Sequence, residues 1–408
     1  MNFDSGITGF MLLATSLVML MTPGLAFFYG GLANKRNILG IMIQSFVSMG
    51  ITTILWFFFG YSLCFSGGAG GVIGNFDKAL MHGVSLNTAF SGNPKLPEFV
   101  FMAYQMMFAI ITPALITGAF IGRVTFKAYL IFLVLWQLFV YYPFVHMVWG
   151  GGLLAQWGVL DFAGGIVVHA TAGFAALASV IYLGKRKNTE NKPNSIPLIA
   201  LGTGLLWFGW YGFNAGSALD VNAVTGLAFL NTDIAASFAA VTWMIIEWTR
   251  GAKQPKFVGL LTGAVAGLAT ITPAAGYVSL PVAAFIGVLS GLVCYVAVDF
   301  KNKRGWDDAL DVWGVHGMGG VLGTICLGIF GSKFINPAGA DGILHGGSSF
   351  FWKQVAATLG AAAYAFIFTY VMLIVINLVS KVRVAEHVED SGLDSGIHGE
   401  AAYDEGVL

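Results

Sequence analysis

The sequence predicts an all-α integral membrane protein with eleven transmembrane helices, arranged as two inverted five-helix repeats plus an extra C-terminal helix. Three observations predict this fold: the composition, the length of the apolar segments and the placement of basic residues. Of the 408 residues, 57% are hydrophobic and only 10% are charged, whereas a soluble protein carries roughly 25% charged residues. The formal net charge is zero, which argues against a nucleic-acid partner, because proteins that bind nucleic acids carry a basic surface.

Eleven apolar segments are each long enough to cross the ~30 Å hydrocarbon core of a bilayer as a helix. A transmembrane β-barrel would need short segments of alternating hydrophobicity instead, so the pattern favours a helical bundle. The segments lie near residues 8–32, 40–65, 99–121, 128–150, 164–184, 196–216, 224–248, 257–277, 279–299, 310–332 and 352–379. We therefore expect a transmembrane domain at 1–380, with repeats at about 8–184 and 196–332 and the extra helix at about 352–379, followed by a polar tail at 381–408.

Basic residues predict the orientation, because cytoplasmic loops of membrane proteins are enriched in Lys and Arg. If the N-terminus lies outside, only four of the 20 basic residues fall on the outer side, namely Lys78, Lys95, Lys333 and Lys353. The other 16 fall in inner loops or in the tail. Because an error of one helix would mix the two groups, the asymmetry supports the odd number of spans. The sequence thus predicts a multi-pass cell-membrane protein with a cytoplasmic C-terminus.

Two histidines lie within apolar spans and indicate an internal repeat. His169 in the motif HATAG resembles His316 in the motif HGMGG, and an aspartate precedes each, at Asp161 and Asp311. The fifth and tenth spans run in opposite directions, so inverted repeats would bring both histidines near the midplane. An ionisable group at that depth costs several kcal/mol and predicts a functional site. The alternative is a core histidine that bonds to a neighbouring carbonyl.

Three segments resemble the ammonium transporter family (Amt/Mep/Rh), in its prokaryotic Amt type. They are DFAGGIVVHATAGFAAL (161–177), WFGWYGFNAGSA (207–218) and DDALDVWGVHGMGG (307–320). The segment TPGLAFFYGGLANKRN (22–37) is similar to the first helix and loop of that family, and GLDSGIHGEAAY (392–403) is similar to its cytoplasmic end. The resemblance covers essentially the whole chain. It implies a homotrimer of eleven-helix subunits, each with its own pore, with no enzymatic activity and no cofactor.

The resemblance assigns an outer recruitment site for ammonium and a gate below it. Trp149, Ser217, Phe108 and Tyr104 match the recruitment site, and Phe108 with Phe213 matches the stacked phenyl gate. Ammonium is a small cation with four N–H donors, so an aromatic face and a hydroxyl acceptor suit it. From position alone, Trp149 would be interpreted as an interfacial tryptophan and the phenylalanines as packing residues. Many members of the family have phenylalanine where this chain has Tyr104, which adds a hydroxyl.

The same resemblance implies how the pore works. His169 and His316 match twin pore histidines, and Asp161 matches the acidic residue beneath the recruitment site. Ammonium would lose its proton at the outer site, and neutral ammonia would pass the histidines, which could relay the proton separately. From the residues alone, Asp161 is equally well interpreted as a structural brace or as electrostatic support for the cation. Asp311 is interpreted mainly as a helix cap.

Three other functions remain open on the sequence. The first is a passive channel for a neutral solute such as ammonia, carbon dioxide or urea, which has no use for a cation site. The second is a membrane metalloenzyme with His169 and His316 as ligands, although His82, His146 and His345 lie at or near the outer side, away from pore depth. The third is an ammonium sensor that acts through a partner of the tail. The tail resembles family tails that respond to PII-type (GlnK-like) signal proteins, while a disordered tail is the alternative.

Overall fold

The computed structural model describes residues 3–187, 192–250 and 253–403. Within these ranges, ten apolar helices are long enough to cross a bilayer, and an eleventh apolar helix is shorter. They are α1 (Ser5–Leu32), α2 (Ile38–Phe65), α3 (Glu98–Ala119), α4 (Phe126–Trp157, interrupted between Val148 and Leu153), α5 (Gly165–Leu183), α6 (Ile196–Ala218), α7 (Ala223–Arg250), α8 (Phe257–Ile271), α9 (Leu280–Arg304), α10 (Trp313–Phe330) and α11 (Ser348–Val379). The predicted class of an all-α multi-pass membrane protein is confirmed.

The eighth predicted span ends earlier than the sequence suggests. The apolar segment 257–277 is helical only to Ile271, and turns follow up to Tyr277. Pro273 accounts for this end, because proline has no N–H to continue the helical hydrogen bonds. The carbonyl of Pro273 instead accepts a hydrogen bond from the backbone N of Phe162 at 3.2 Å. The turn therefore packs against the loop that leads into α5.

The first helices of the two predicted repeats, α1 and α6, pack against each other in antiparallel directions. A Cβ added to Gly31, near the end of α1, would lie 2.7 Å from the backbone N of Ile199, near the start of α6. A Cβ added to Gly24, two turns earlier, would lie 2.9 Å from the Cβ of Leu205. The residue numbers at the contacts therefore decrease along α1 as they increase along α6. This is the arrangement that inverted repeats require.

Loops rich in basic residues meet at one end of the bundle, which we call the basic end. Here the Arg186 guanidinium pairs with Asp307 at 2.7 Å, and Arg123 pairs with the same carboxylate at 3.4 Å. Burial raises the pKa of Asp307, but the hydrogen bond from Arg186 and the charge of Arg123 outweigh it and hold that pKa below its ordinary value. The pairs join the loops before α4, α6 and α10.

The polar tail folds back against the basic end as far as residue 403. Backbone N of Val384 donates to the carbonyl of Arg123 at 2.8 Å. The carboxylate of Asp394 accepts from backbone N of Ile38 at 3.0 Å and of Gly40 at 2.7 Å, at the start of α2. The described part of the tail is therefore docked, and the disordered alternative does not fit it. Residues 404–408, the last five of the predicted tail, lie outside the described residues.

A β-hairpin between α2 and α3 lies at the opposite end, where the sequence predicts no strand. Its strands are Ala89–Phe90 and Asn93–Pro97. The Asn93 side chain donates to the carbonyl of Leu219 at 2.8 Å, so the hairpin is bonded to the loop after α6. The ring of Phe90 stacks on Phe101 of α3 with 3.8 Å between centroids.

Candidate functional site

A cavity of about 230 Å³, which we call the vestibule, lies at the end opposite the basic end. Four of the predicted site residues line it, namely Phe108, Trp149, Asp161 and Ser217. So does Phe90 of the hairpin, which sequence reasoning missed because its place depends on the fold of the hairpin. Seven of its 14 lining residues are aromatic, and the polar residues Gln105, Asp161 and Ser217 are among the others.

Trp149 faces the vestibule from the interruption of α4. Its indole N–H donates to the backbone carbonyl of Asp161 at 2.8 Å, and its ring meets Phe108 edge-on at 5.9 Å. An interfacial tryptophan would point its ring to lipid, whereas this ring lines an internal cavity. Since its N–H is already bonded, the ring offers its π surface to a cation.

Tyr104 and Ser217 come together, but only Ser217 lines the vestibule. The hydroxyl of Ser217 donates to the carbonyl of Phe213 at 2.9 Å, which leaves its lone pairs available to an N–H donor. Tyr104 is fully buried, and its hydroxyl lies 2.9 Å from the carbonyl of Gly212, 2.8 Å from that of Phe213 and 3.2 Å from Oγ of Ser217. Tyr104 thus fixes the end of α6 and packs behind Phe108.

Phe108 and Phe213 close the floor of the vestibule. Their ring centroids lie 4.3 Å apart with 34° between the planes, and both side chains are buried. Phe213 in turn lies over His169 at 6.1 Å. The two stacked rings therefore lie between Trp149 of the vestibule and His169.

The two histidines face each other at the centre of the bundle. Each lies on a π-helical turn, Gly165–Ala170 or Trp313–Gly317, and such turns are frequent at functional sites. Their Nδ1 atoms are 3.3 Å apart, and the rings are nearly parallel at 19°. Nε2 of His169 is buried and has no hydrogen-bond partner among the described residues. The alternative of a core histidine satisfied by a carbonyl does not fit this geometry.

Backbone contact between α5 and α10 holds the histidines at this distance. A Cβ added to Gly173 would clash with the backbone of Gly317, and one added to Gly320 would lie 2.5 Å from the carbonyl O of Gly165. Residues after His169 thus meet residues near His316 on an antiparallel neighbour. The small residues of HATAG and HGMGG allow the two helices to touch main chain to main chain.

Trp210 is a further site residue that sequence reasoning missed. Its ring stacks on His169 with 5.5 Å between centroids and 20° between planes, and its N–H donates to the hydroxyl of Thr272 at 3.0 Å. The signal was present in the segment WFGWYGFNAGSA. Positions 210, 213 and 217 are spaced i, i+3 and i+7 and therefore share one helix face.

Asp161 binds the start of the helix that carries His169. Its Oδ1 accepts from backbone N of Gly164 at 2.8 Å and of Gly165 at 2.7 Å. Its Oδ2 accepts from Ile166 at 2.7 Å and Val167 at 3.1 Å. All four bonds come from the otherwise unpaired N–H groups of a helix start. This geometry favours the structural brace among the two interpretations of Asp161.

Asp308, not Asp311, is the counterpart of Asp161 in the second repeat. Each of the two stands eight positions before its histidine, and Oδ2 of Asp308 accepts from backbone N of Trp313 at 2.8 Å. The expectation that Asp311 caps this helix was therefore wrong. Asp311 adopts a positive φ of 56°, and its Oδ1 accepts from Nζ of Lys301 at 2.5 Å. The sequence analysis paired Asp161 with Asp311, the aspartate nearest to His316, although Asp308 has the same spacing to its histidine as Asp161 has to His169.

The described residues contain no candidate metal centre. In residues 3–187, 192–250 and 253–403, no group of three or more His, Cys, Asp or Glu side chains is placed to hold a metal ion. His146, one of the candidates for a third ligand, is buried elsewhere with its Nδ1 3.0 Å from the carbonyl of Cys64. The described residues thus give the metalloenzyme alternative no ligand set.

Comparison with known proteins gives consistent matches over the chain. The model of the Ammonium Transporter Family matches residues 9–403. An ammonium transporter of Bacillus subtilis is 44% identical over 98% of this chain and 99% of its own length. One of Aquifex aeolicus is 46% identical over 98% of this chain and 94% of its own. The crystal structure of Saccharomyces cerevisiae Mep2 aligns with a TM-score of 0.91 at 33% identity, covering 100% of this chain and 93% of that one.

Proposed function

Because this chain belongs to the ammonium transporter family, a non-enzymatic family of membrane transporters, we propose a specific route for ammonium through it. Ammonium binds in the vestibule, gives its proton to outer water or to the histidine pair beyond the phenyl gate, and crosses the centre as ammonia beside the two histidines. One observation supports the route above all, namely a continuous series of ring contacts from the vestibule to the centre. The series runs through Trp149, Phe108, Phe213, His169 and His316.

Energetics favour deprotonation before passage. Taking a bare cation into a dry pore costs on the order of tens of kcal/mol. Removing a proton at pH 7 from a group with a lysine-like pKa of about 10.4 costs roughly 5 kcal/mol. Ammonia is therefore the species that crosses the buried segment between Phe213 and His316.

The paired histidines give ammonia polar contacts without a fixed charge. With their Nδ1 atoms 3.3 Å apart, one ring donates and the other accepts, so each fixes the tautomer of the other. The buried Nε2 of His169, which has no hydrogen-bond partner among the described residues, can then bond to ammonia. Proton exchange along the pair would carry the charge separately from the ammonia.

We further propose the orientation and the partners. The vestibule faces the outside and the basic end faces the cytoplasm, because Lys and Arg are concentrated in cytoplasmic loops. On the family resemblance, three such subunits assemble as a homotrimer with one pore each. The docked tail offers a surface at the basic end to a PII-type signal protein.

The experiment that tests the function is current recording on proteoliposomes given an ammonium pulse at several pH values. A current that depends on ammonium supports separate conduction of the proton and ammonia. Ammonia entry with no current, detected as a rise of internal pH, would favour the passive neutral channel instead. Metal analysis of the purified protein accompanies this experiment and tests the metalloenzyme alternative.

We expect Trp149→Leu to weaken recruitment while leaving conduction at high concentration. A cation–π contact contributes about 0.5–2 kcal/mol, so half-saturation by methylammonium should rise between about twofold and about thirtyfold. Transport rates against methylammonium concentration measure this. Trp352→Leu is the matched control, because Trp352 is exposed on α11. An unchanged concentration dependence in Trp149→Leu would count against the recruitment site.

Deleting residues 381–408 is expected to change the transport rate or its inhibition by a PII-type protein. The tail bonds to the start of α2 through Asp394 and to the loop before α4 through Val384, so its removal frees both segments. Transport by the deletion variant is measured with and without the signal protein. Asp394→Ala, which removes only the bond to α2, shows whether that contact accounts for the change. If rate and inhibition both matched the full-length protein, the regulatory role would be refuted.

A further inference from the structure

Lys301 is a buried lysine at the basic end, in the last turn of α9. Its side chain is only 5% exposed, although lysine is almost never fully buried without a partner. Its Nζ donates to the carbonyl of Asp308 at 2.6 Å and to Oδ1 of Asp311 at 2.5 Å. Lys303 and Arg304 in the same turn are exposed, so complementing the helix dipole does not require Lys301 to be buried.

The oxygens that hold Lys301 lie where the inner half of the pore opens. A cavity of about 50 Å³ adjoins His316, and a cavity of about 220 Å³ lies towards the basic end. Leu310 and Asp311 line both cavities, and Lys301 lines the larger one. Asp311 is the only acidic residue among the described residues that line these two cavities between His316 and the basic end.

The chemistry of this place resembles that of the transported ion. Ammonia that reaches water regains a proton and becomes ammonium, a cation with four N–H donors. The end of a lysine side chain is an ammonium group in which one hydrogen is replaced by carbon, with three N–H donors left. The oxygens of Asp308 and Asp311 that bind Nζ are thus acceptors that would also bind ammonium.

We infer that Lys301 controls release at the exit: its side-chain ammonium group occupies the oxygens that would otherwise retain the transported ion. This inference rests on the proposed function. With Lys301 in place the Asp311 carboxylate is neutralised, and the ion leaves into the larger cavity. Without it, an unpaired carboxylate at the exit attracts ammonium from either side. Asp311 keeps a positive φ, which is uncommon for residues other than glycine and holds its carboxylate against Lys301.

The test uses Lys301→Met in the full chain, reconstituted in liposomes that are preloaded with ammonium chloride at increasing concentrations. A charge-assisted hydrogen bond contributes about 1.5–3 kcal/mol, so the internal ammonium concentration that halves inward transport should fall about tenfold or more. Lys301→Arg, which keeps the charge, should restore the wild-type value. The double variant Lys301→Met with Asp311→Asn should also return to it, because the carboxylate that forms the ion pair with Lys301 is then absent.

A binding measurement separates this role from a merely structural one. In detergent, ammonium chloride should raise the unfolding temperature of Lys301→Met above its value in potassium chloride at equal ionic strength, with a smaller difference in wild type. If Lys301→Met does not fold, Lys301→Gln, which keeps a donor and removes the charge, takes its place. Inhibition by internal ammonium equal to wild type, or equal in the single and double variants, would overturn the inference. Absence of ammonium-evoked current in wild type would overturn the proposed function instead.

Discussion

Replacing His169 or His316 by leucine is expected to abolish ammonium-evoked current, and replacing both should do no further harm. The two Nδ1 atoms share one hydrogen bond, so each ring loses its fixed tautomer when the other is removed. Effects of residues that act as a unit are not additive. Ammonia itself can still cross either variant, since a neutral solute does not meet the cost of burying a charge.

The measurement combines current recording with internal pH in liposomes for the two single variants and the double variant. His345→Leu is the matched control, because His345 is exposed and lies away from the ring series. Loss of current with a persistent rise of internal pH would show that the proton and the ammonia take separate routes. Wild-type current in the double variant would refute the relay.

Asp161→Ala is expected to cause the largest loss of stability among single substitutions at the site. It leaves four buried backbone N–H groups of residues 164–167 without their acceptor. An unsatisfied buried donor costs about 1–3 kcal/mol, so the loss should reach several kcal/mol even after partial rehydration. It should appear as a lower unfolding temperature in detergent, together with loss of current because α5 carries His169.

Two other variants sharpen this prediction. Asp4→Ala is the matched control, because Asp4 caps α1 through a single bond to Ile7 at 2.9 Å in a partly exposed place, and it should cost about 1 kcal/mol. Asp161→Asn keeps one acceptor oxygen and should have an intermediate effect on stability. If Asp161→Ala were no less stable than Asp4→Ala and only weakened half-saturation, Asp161 would act as electrostatic support for the cation and not as a brace.

The helices could be predicted from the sequence to within a few residues, because the thickness of the bilayer sets the length of each apolar segment and basic residues mark the loops between them. The end of α8 was missed because the apolar sequence continues past Pro273, whereas the helix cannot continue there. That His169 faces the interior of the bundle could be predicted, because an ionisable side chain is costly to expose to lipid. Its stacking on Trp210 did not, because that contact joins two helices and depends on their rotation about their axes.

Contacts distant in sequence escaped prediction for the same reason. Asp394 meets Gly40 across more than 350 positions, and no local pattern in either segment indicates the other. The pairing of Asp161 with Asp311 failed because proximity to the motif was weighed above equal spacing. Tyr104 matched the motif, yet its hydroxyl bonds to backbone carbonyls of α6. This contact depends on how α3 and α6 pack, which the local sequence does not indicate.

The main-chain contact of Gly173 with Gly317 has a consequence for the lipid in which the protein works. A thinner membrane tilts the outer helices of a bundle, and a thicker one thins locally around them; side-chain contacts between the outer helices can adjust to the tilt. Where two backbones already touch, the distance between the helices cannot decrease further. The contact also lies in the interior, away from acyl chains. The spacing of the two imidazoles should therefore stay the same in short-chain and long-chain lipids, so that the proposed proton transfer between them would not depend on membrane thickness.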